Sequence, residues 1–363
     1  MNKLEELGTK IPSLFPHNHA SNILPLGNGD LLCVWFGGSR EGKPDISILC
    51  SRLKQGATEW SKPVVLSDDS ERSEQNPLLF ENPNGELWLI YTAQNAVHQD
   101  SAVVRYRTSI DNGETWSGIK TLFDKPGSFV RHPPVILENG DLLLPAYYSL
   151  KSETGFLGND YSVVKISSDN GTTWEEYEVN NSNGLVHMSV VKVDDGRLVG
   201  FFRSRKADYI YKSESNDNGR TWSEPKKTDL PNNNASIQCV KLKNGHLAMI
   251  FNNINAEMAP PEENRPPWFD KSDMDEVGVR KDIKHDSIWG VIRAPLAVAI
   301  SEDNGNTWPY MRDIIAKEGF EGSPEFSYPS IKQTEDLQIH ITFTYLRQYI
   351  KHVTITEDWL KNK

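Results

Sequence analysis

Polar side chains that can bind anions, move protons or attack an electrophile stand at the start of successive strand-like runs. They are His19, Asn76, Arg131, His132, His187, Asn234 and Tyr328. A histidine acts as a base or as an anion-binding donor near neutral pH, and a tyrosine hydroxyl can act as a nucleophile. Solvated strand ends usually carry Ser, Thr, Lys or Glu without preference. We therefore expect these side chains to converge on one functional pocket.

The strand openings recur with a period of about 56 residues, which is typical of a repeated structural unit. Each opening is followed by a turn and an apolar run, as in GNGDLLCVWF, PNGELWLIYT, ENGDLLLPAYY, DDGRLVGFF and KNGHLAMIF. Asn-Gly and Asp-Gly between two apolar runs favour a tight hairpin, because both turn residues adopt positive φ at little cost. Each unit therefore begins as a β-hairpin.

A polar octet follows a third strand-like run in most units. It reads SIDNGETW (Ser109–Trp116), SSDNGTTW (Ser167–Trp174), SNDNGRTW (Ser215–Trp222) and SEDNGNTW (Ser301–Trp308), with a degenerate copy in SRLKQGATEW (Ser51–Trp60). Six openings with four strands each predict an all-β fold, a six-bladed β-propeller that protects its strand edges by closing on itself. We interpret residues 1–363 as a single propeller domain. The run IKHVTI near Ile350 is expected to complete a blade with strands from the N-terminus.

One long segment, residues 254–288, interrupts the period before the next strand. Loops of this length are usually functional or disordered. The segment is polar, but it carries Trp268 and Phe269 and is followed at once by Trp289. These aromatic residues favour a lid or a pocket wall.

Composition narrows the classes of partner. The net charge is −11 and no basic block interrupts it, which argues against a nucleic-acid or anionic-membrane partner. No apolar run approaches a membrane span, and MNKLEELGTKIPSLF lacks the apolar region of a signal peptide, so we expect a cytoplasmic protein. The histidines have no zinc-site spacing, and we expect neither a metal nor another cofactor.

The octets resemble the Asp-box, Ser-x-Asp-x-Gly-x-x-Trp, of the sialidase (neuraminidase) superfamily of BNR-repeat proteins. The resemblance covers essentially the whole chain, and four full matches are in register. It implies rim turns away from the site, in which Ser and Asp bond the turn backbone, Gly permits positive φ and Trp packs between sheets. On this interpretation the octets have a structural role, and the catalytic residues lie elsewhere.

Four other segments are similar to the site segments of that family. FGGSREGKPD places a site arginine at Arg40 and the catalytic aspartate at Asp45. FFRSRKADYI and IRAPLAVAI match two pocket-arginine segments at Arg203 and Arg293, and EFSYPSI matches the segment of the nucleophilic tyrosine at Tyr328. In the family, arginines clamp a sugar carboxylate bidentately, and a neutral tyrosine attacks where a carboxylate nucleophile would be repelled.

The sequence departs from the family pattern at two places. His19 and Ala20 stand where the N-terminal arginine belongs, so one leg of the clamp is missing, and His187 replaces the glutamate that serves the tyrosine. The further basic groups are Arg131, His132, Arg205 and Arg347. Arg347 has apolar strand neighbours, so its head is expected to reach the channel or the rim, whereas Arg131 and Arg205 could equally be paired surface arginines. Glu325 is expected to pair with an arginine or to serve as an acid.

These features predict an exo-acting, sialidase-like glycoside hydrolase that acts on a terminal acidic sugar of an oligosaccharide. Tyr328 is the expected nucleophile, Asp45 the acid/base, and His187 with His19 the replacements for the missing groups. The expected substrate-binding residues are Arg40, Arg203, Arg293, Arg347, His132, Arg131, Asn76, Asn234 and Glu325. The alternatives are a lyase that cleaves a uronate-linked glycan by β-elimination and a non-catalytic glycan-binding propeller.

Two expectations follow from the incomplete clamp. A broader basic pocket suits a carboxylate held further from the scissile bond, so uronate-containing substrates should be better than ordinary sialosides. His187 between arginines should have a lowered pKa and stay neutral at pH 7.

Overall fold

Six antiparallel sheets, arranged as the blades of a β-propeller, make up almost all of the structure. The computed structural model describes residues 8–151, 158–278 and 286–362. In four of the six blades, neighbouring strands are consecutive in the chain, so each of these blades is a meander. The prediction of an all-β six-bladed propeller is confirmed.

The first three blades follow the short strand β1 (Thr9–Lys10), which belongs to the last blade. Blade one contains β2 (His17–Pro25), β3 (Leu31–Gly38), β4 (Ser47–Leu53) and β5 (Val64–Val65). Blade two contains β6 (Ser73–Glu81), β7 (Leu87–Asn95), β8 (His98–Ser109) and β9 (Lys120–Phe123). Blade three contains β10 (Ser128–Val130), β11 (Val135–Ile136), β12 (Leu142–Tyr148), β13 (Tyr161–Ser167) and β14 (Glu175–Glu178).

The last three blades include both helices of the described residues. Blade four contains β15 (Leu185–Lys192), β16 (Leu198–Ser204), β17 (Tyr209–Ser215) and β18 (Lys226–Pro231). Blade five contains β19 (Gln238–Lys241), β20 (Leu247–Asn252), β21 (Leu296–Ser301) and β22 (Tyr310–Ile315), with α1 (Lys271–Glu276) between β20 and β21. Blade six contains β23 (Phe326–Gln333), β24 (Ile339–Tyr345) and β25 (Tyr349–Ile355), followed by α2 (Glu357–Lys361). Neither helix is long and apolar enough to cross a membrane.

The propeller closes through its N-terminal strand. β1 pairs antiparallel with β25, with Thr9 opposite His352 and Lys10 opposite Lys351. The outer strand of blade six therefore comes from the other end of the chain, which fixes the first blade against the last. This confirms the expected completion of the blade near Ile350.

The octets lie between the third and fourth strands of blades two to five, as predicted. In the first of them, Ser109 Oγ donates to Asp111 Oδ1 at 2.7 Å and accepts from Gly113 N at 2.9 Å. Asp111 Oδ1 also accepts from Thr115 N at 2.9 Å. Gly113 has φ +80°, and a Cβ there would lie 2.9 Å from a Leu32 side-chain atom of the neighbouring blade. The same hydrogen bonds recur at Ser167, Ser215 and Ser301.

The inner strands share a different local feature, a bulge near the start. One non-glycine residue in each of five blades has positive φ, between 49° and 60°: Ala20, Asn76, His187, Asn234 and Tyr328. The strand register shifts across four of these bulges. Blade three is interrupted instead at residues 131–134, where Pro133 and Pro134 offer no N–H for the ladder. Left-handed non-glycine residues cost energy and cluster at functional sites, so the bulges mark where to look for chemistry.

Apolar side chains between adjacent blades form the core. Ile250 and Val298 of blade five, for example, belong to the same buried cluster as Ile331 and Ile341 of blade six. Burial of these branched side chains excludes water from the blade interfaces and holds the inner strands around the axis. The positions of the strand openings are therefore fixed by packing that does not involve the polar residues themselves.

Candidate active site

Tyr328 lies at the centre of a buried polar cluster at the strand-opening end of the channel. Its residue is 5% exposed, and the bulge of β23 gives it φ 49°. Arg203, from β16, donates from Nη1 to Tyr328 Oη at 2.5 Å and from Nε to Asn234 Oδ1 at 2.8 Å. Three predicted site residues from three blades are thus connected by direct hydrogen bonds. The charged donor holds the phenol oxygen in a fixed position.

Three guanidinium groups surround the Tyr328 ring. Arg131, Arg203 and Arg293 lie 5.4, 5.6 and 5.4 Å from its centroid. Burial is the main cause that lowers the pKa of Arg131 and of Arg203 to about 10, and Arg203 also lowers that of Arg131. Both groups therefore remain cationic at neutral pH. The cluster carries a concentrated positive charge inside a protein whose net charge is −11.

Glu325 is the internal counter-charge of this cluster. Its carboxylate accepts from Arg293 Nη1 at 2.7 Å, Arg347 Nε at 2.9 Å and Ser327 Oγ at 2.7 Å. Burial by itself would raise the pKa of Glu325, but Arg293 and Arg347 hold it well below its usual range. The prediction that Glu325 pairs with an arginine is confirmed. A carboxylate held ionised in this way is a poor proton donor.

Arg347 adds a fourth arginine to the cluster, from an unexpected element. It lies in the turn between β24 and β25 with φ 58°, and not in a strand as the sequence suggested. Besides Glu325, it contacts Glu41 through Nη1 and His17 Nε2 at 3.3 Å. Its carbonyl oxygen accepts from Asn18 N at 2.7 Å, so an arginine of blade six lies beside the start of β2, where the expected N-terminal arginine is absent.

Two neutral histidines flank the tyrosine ring. The His19 and His187 rings lie 4.2 and 5.6 Å from that of Tyr328. His19 Nδ1 is 2.9 Å from Thr344 Oγ1, and His187 Nε2 is 3.2 Å from Tyr147 Oη. Burial, followed by neighbouring arginines, lowers the pKa of both imidazoles well below the ordinary value. The predicted direction for His187 is confirmed, with burial as the larger cause.

Several buried polar atoms of the cluster have no hydrogen-bond partner among the described residues. They are Nε2 of His19, Nδ1 of His187, Nη1 of Arg131, Nη2 of Arg203, Nη2 of Arg347 and Nε1 of Trp289. Buried polar groups are usually satisfied, so a group of orphaned donors and acceptors at one place is typical of a ligand site.

Two predicted or suspected arginines have structural partners instead. Arg131 Nη2 donates to the carbonyl oxygens of Ser21 at 3.1 Å, Tyr328 at 3.0 Å and Pro329 at 3.3 Å. It therefore holds the bulges of blades one and six, while its Nη1 has no hydrogen-bond partner among the described residues. Arg205 forms a buried ion pair with Asp160, with Nε and Nη2 both 2.8 Å from Oδ2.

Arg40 and Asp45 lie at the rim of the site. Arg40 donates to Asp270 Oδ2 at 2.5 Å and approaches Asp273 Oδ2 at 3.0 Å, so it anchors the inserted segment. Asp45 is exposed, and its two carboxylate oxygens accept from Ser39 N at 3.0 Å and Ser39 Oγ at 2.9 Å. The structure does not bring either residue into the Tyr328 cluster.

His132 and Asn76 differ in how they relate to the Tyr328 cluster. His132 lines a separate cavity with Ser189, Gln238 and Lys332, at the far ends of the inner strands. It therefore lines this cavity while still lying near Arg131 and His187, whose charge and backbone act on its pKa. Asn76 occupies the equivalent bulge of blade two but makes no hydrogen bond to another predicted site residue among those described.

The described part of the insertion forms a roof over the arginines. Trp268 lies 5.9 Å from Arg293 and 5.6 Å from Arg347, and Trp289 lies 5.6 Å from Arg203. The two indoles pack edge-to-face at 5.5 Å. This matches the expected pocket wall, although the next strand begins at Leu296 and not at about Ile288. Residues 279–285 of the predicted insertion lie outside the described residues.

Sequence reasoning missed Glu41, Asp160 and Tyr147. Tyr147 bonds to His187, Asp160 to Arg205 and Glu41 to Arg347. Glu41 is only 5% exposed, although it follows the rim residue Arg40 in the sequence. The available signal was weak: Glu41 adjoins a predicted site arginine in SREG, and Asp160 precedes a strand. Pairing over 306 residues, as between Glu41 and Arg347, cannot be seen in one sequence.

A propeller with Asp-box turns and an arginine-ringed tyrosine defines the sialidase-like class of protein. The chain belongs to the BNR repeat-like domain family, whose model matches residues 29–341. A sialidase of Clostridium perfringens is 31% identical over 232 residues, 55% of this chain and 59% of that protein.

Solved structures agree on the fold. A Hadza microbial sialidase has a TM-score of 0.72 at 14% identity, over 97% of this chain and 69% of its own. An intramolecular trans-sialidase from Ruminococcus gnavus has a TM-score of 0.69 at 13% identity, over 96% of both chains. A Dyadobacter fermentans protein of unknown function has a TM-score of 0.71 at 15% identity, over 96% of this chain and 97% of its own.

Proposed function

We propose that this protein is a sialidase-like glycoside hydrolase that releases a terminal acidic sugar from an oligosaccharide. The observation that carries the proposal is the Tyr328 hydroxyl, which accepts a 2.5 Å hydrogen bond from Arg203 inside a ring of arginines. A nucleophile stabilised by a cationic donor is suited to attack beside a substrate carboxylate. The similarity to a Clostridium perfringens sialidase supports the same class of reaction.

The substrate carboxylate is bound by the arginine nitrogens that the protein itself leaves unpaired. Arg203 Nη2 and Arg347 Nη2 are buried and have no partner among the described residues. Arg293 and the Nε of Arg347 are already bonded to Glu325. A charge-assisted hydrogen bond to a carboxylate contributes about 1.5–3 kcal/mol, so two free nitrogens are sufficient to orient an acidic sugar.

The reaction proceeds by nucleophilic displacement. Tyr328 Oη forms a bond to the anomeric carbon while the glycosidic C–O bond breaks, and the phenol proton passes to a neutral imidazole, His187 or His19. Asp45 on the rim loop protonates the leaving oxygen. Water then attacks the same carbon, Asp45 takes its proton, and the tyrosine oxygen leaves and recovers a proton from the imidazole.

Glu325 is the group that discriminates between different acidic sugars as substrates. Because it neutralises Arg293 and part of Arg347, it opposes a second carboxylate held tightly against both. A carboxylate further from the scissile bond avoids this repulsion. Because of Glu325, we expect uronate-containing oligosaccharides to be better substrates than ordinary sialosides.

A uronate lyase is the second candidate, and the two histidines favour it. His19 and His187 are neutral and flank Tyr328, and each has an unpartnered ring nitrogen. A neutral imidazole can remove the proton next to a uronate carboxylate whose charge is balanced by arginine, and the tyrosine hydroxyl can then protonate the leaving oxygen.

One experiment distinguishes these reactions. The purified protein is offered sialyl-lactose and glucuronate-containing oligosaccharides, and free sialic acid, new reducing ends and ultraviolet absorbance of a conjugated double bond are followed. New reducing ends without absorbance support the hydrolase, and absorbance supports the lyase. Rapid release of sialic acid supports a glycosidase but contradicts the uronate preference. Binding without turnover of any substrate contradicts both enzymes and leaves a glycan-binding propeller.

A further inference from the structure

A second polar cavity lies at the end of the axial channel away from Tyr328. Its volume is about 340 Å³. It is lined by residues at the far ends of inner strands, including Lys192 on β15, Lys241 on β19 and Lys332 on β23. The site residues His187, Asn234 and Tyr328 precede the same strand ends, so this cavity and the Tyr328 cluster lie at opposite ends of the inner strands.

The walls of this cavity are held by hydrogen bonds between blades. Ser189 Oγ donates to Cys239 O at 3.2 Å and accepts from Cys239 N at 3.0 Å, which joins blades four and five. Gln238 Oε1 accepts from Ile331 N at 2.8 Å, which joins blades five and six. The lining is therefore a fixed feature of the closed propeller.

The charge of the lining is positive. It contains Lys192, Lys241, Lys332 and His132 but no carboxylate among its residues. Lys241 pairs with Asp194, whereas neither Lys192 nor Lys332 has a carboxylate within 4.0 Å in the part of the chain that the structure describes. A group of uncompensated cations is unusual in a protein of net charge −11.

Two of these groups are incompletely satisfied. His132 is 3% exposed, and its Nε2 has no hydrogen-bond partner among the described residues. Burial lowers the pKa of Lys332, and no nearby acid opposes that effect. An uncompensated ammonium in the lining of a cavity is stabilised by a bound anion.

We propose that this cavity binds a small oxyanion, with the Lys332 ammonium as the principal donor and the His132 ring in the wall. Phosphate, sulfate and the carboxylate of a free acidic sugar share this chemistry. Lys192 adds charge at the mouth, and the side-chain amide of Gln238 adds polar lining. This site is distinct from the Tyr328 cluster and does not depend on the function proposed for that cluster.

Lysine footprinting of the full chain tests the proposal without a destabilising variant. Acetylation of each lysine is measured by mass spectrometry with and without inorganic phosphate, sulfate or glucuronate at equal ionic strength. We expect at least one anion to slow acetylation of Lys332 by about tenfold, the effect of one charged hydrogen bond. Lys62, which is exposed, is the internal control and should react at an unchanged rate. The anion that protects at the lowest concentration identifies the source.

A lysine variant tests whether the anion binds in this cavity or at the arginines around Tyr328. Titration calorimetry of Lys332→Gln should show about tenfold weaker binding of the protecting anion, whereas Lys62→Gln, with the same loss of charge, should bind it as the wild type does. Equal acetylation of Lys332 with and without all three anions overturns the proposal. Equal affinity in K332Q and K62Q also overturns it.

Discussion

The octets and the inner-strand bulges both recur around the propeller, but the octets share their residues whereas the bulges share a backbone conformation. The octets repeat residues, so that Ser109, Ser167, Ser215 and Ser301 make the same hydrogen bonds. The bulges repeat a backbone conformation near φ 50–60° while the residue changes from blade to blade. A structural turn needs the same side chains each time, whereas a site built on an axis needs one geometry and several chemistries.

This difference explains where the charges lie. Asp111 and Asp169 are satisfied by their own turns, where hydrogen bonds from Thr115 and Thr173 hold each pKa at about 2. The bulge of Tyr328 instead meets side chains from other blades, such as Arg203. Because the polar groups of each octet bond within their own turn, the octets are independent of one another. The polar groups at the bulges bond to other blades, so the bulges depend on one another.

The largest expected effect is that of Tyr328→Phe. Removal of the phenol oxygen removes the proposed nucleophile, and kcat should fall by on the order of 1000-fold or more, with little change in melting temperature. Tyr148→Phe is the matched control, since the Tyr148 hydroxyl donates to Glu176 at 2.5 Å, away from the cluster. Turnover of Y328F close to that of the wild type would move the chemistry to the histidines.

Local sequence signals predicted most of the fold. The Asn-Gly turns, the octets and the period determine strand number and blade order, because each depends on residues close in sequence. The strand openings also identified Tyr328, His19, His187 and Asn234, which the structure brings together or connects through Arg203.

The pairing of site residues could not be predicted in the same way. Arg347 contacts Glu41 across 306 positions, and Arg131 bonds three backbone carbonyls of other blades. Both outcomes depend on the closed propeller and on the direction of a side chain, which no local pattern encodes. The place of His132 in the wall of a separate cavity has the same origin.

Arg203→Ala should have the second largest effect and sharpens the contrast with the octets. Loss of the charged donor to Tyr328 and of a free Nη2 should lower kcat/KM on the order of 10- to 100-fold. Arg220→Ala, an arginine inside the third octet, should leave kcat/KM unchanged. Arg203→Lys should recover little, because lysine cannot bond Asn234 and Tyr328 with one planar fork. A loss of stability alone in R203A would assign Arg203 to the frame.

The buried histidines beside the inner-strand bulges predict that the free energy of unfolding decreases in acid. Because burial lowers the folded-state pKa of His187 and His19, the unfolded chain binds more protons as pH falls below about 6.5. Their stabilisation is complete above that pH and is lost as pH falls towards the lowered folded values, by up to about 1.4 kcal/mol per pH unit for each histidine. Urea unfolding at pH 7 and pH 5 measures this.

The matched variant for this prediction is His187→Gln, which removes one titrating group. Its stability should fall less steeply between the two pH values than that of the wild type, and the comparison cancels the contribution of carboxylates such as Glu41. An identical slope in the two proteins would mean that His187 is already protonated in the folded state.

The smallest effect is expected from Asp169→Ala in the second octet. Asp169 accepts hydrogen bonds from Ser167 Oγ at 2.8 Å, Thr173 N at 2.8 Å and Thr173 Oγ1 at 2.7 Å, all within its own turn. Loss of these bonds should lower the melting temperature by a few degrees, because an exposed turn can exchange them for water. Since the turn lies between β13 and β14, far along the blade from Tyr328, kcat and KM should not change. Calorimetry and initial rates measure the two quantities separately, and a fall in kcat at unchanged melting temperature would show that the octets are coupled to the site.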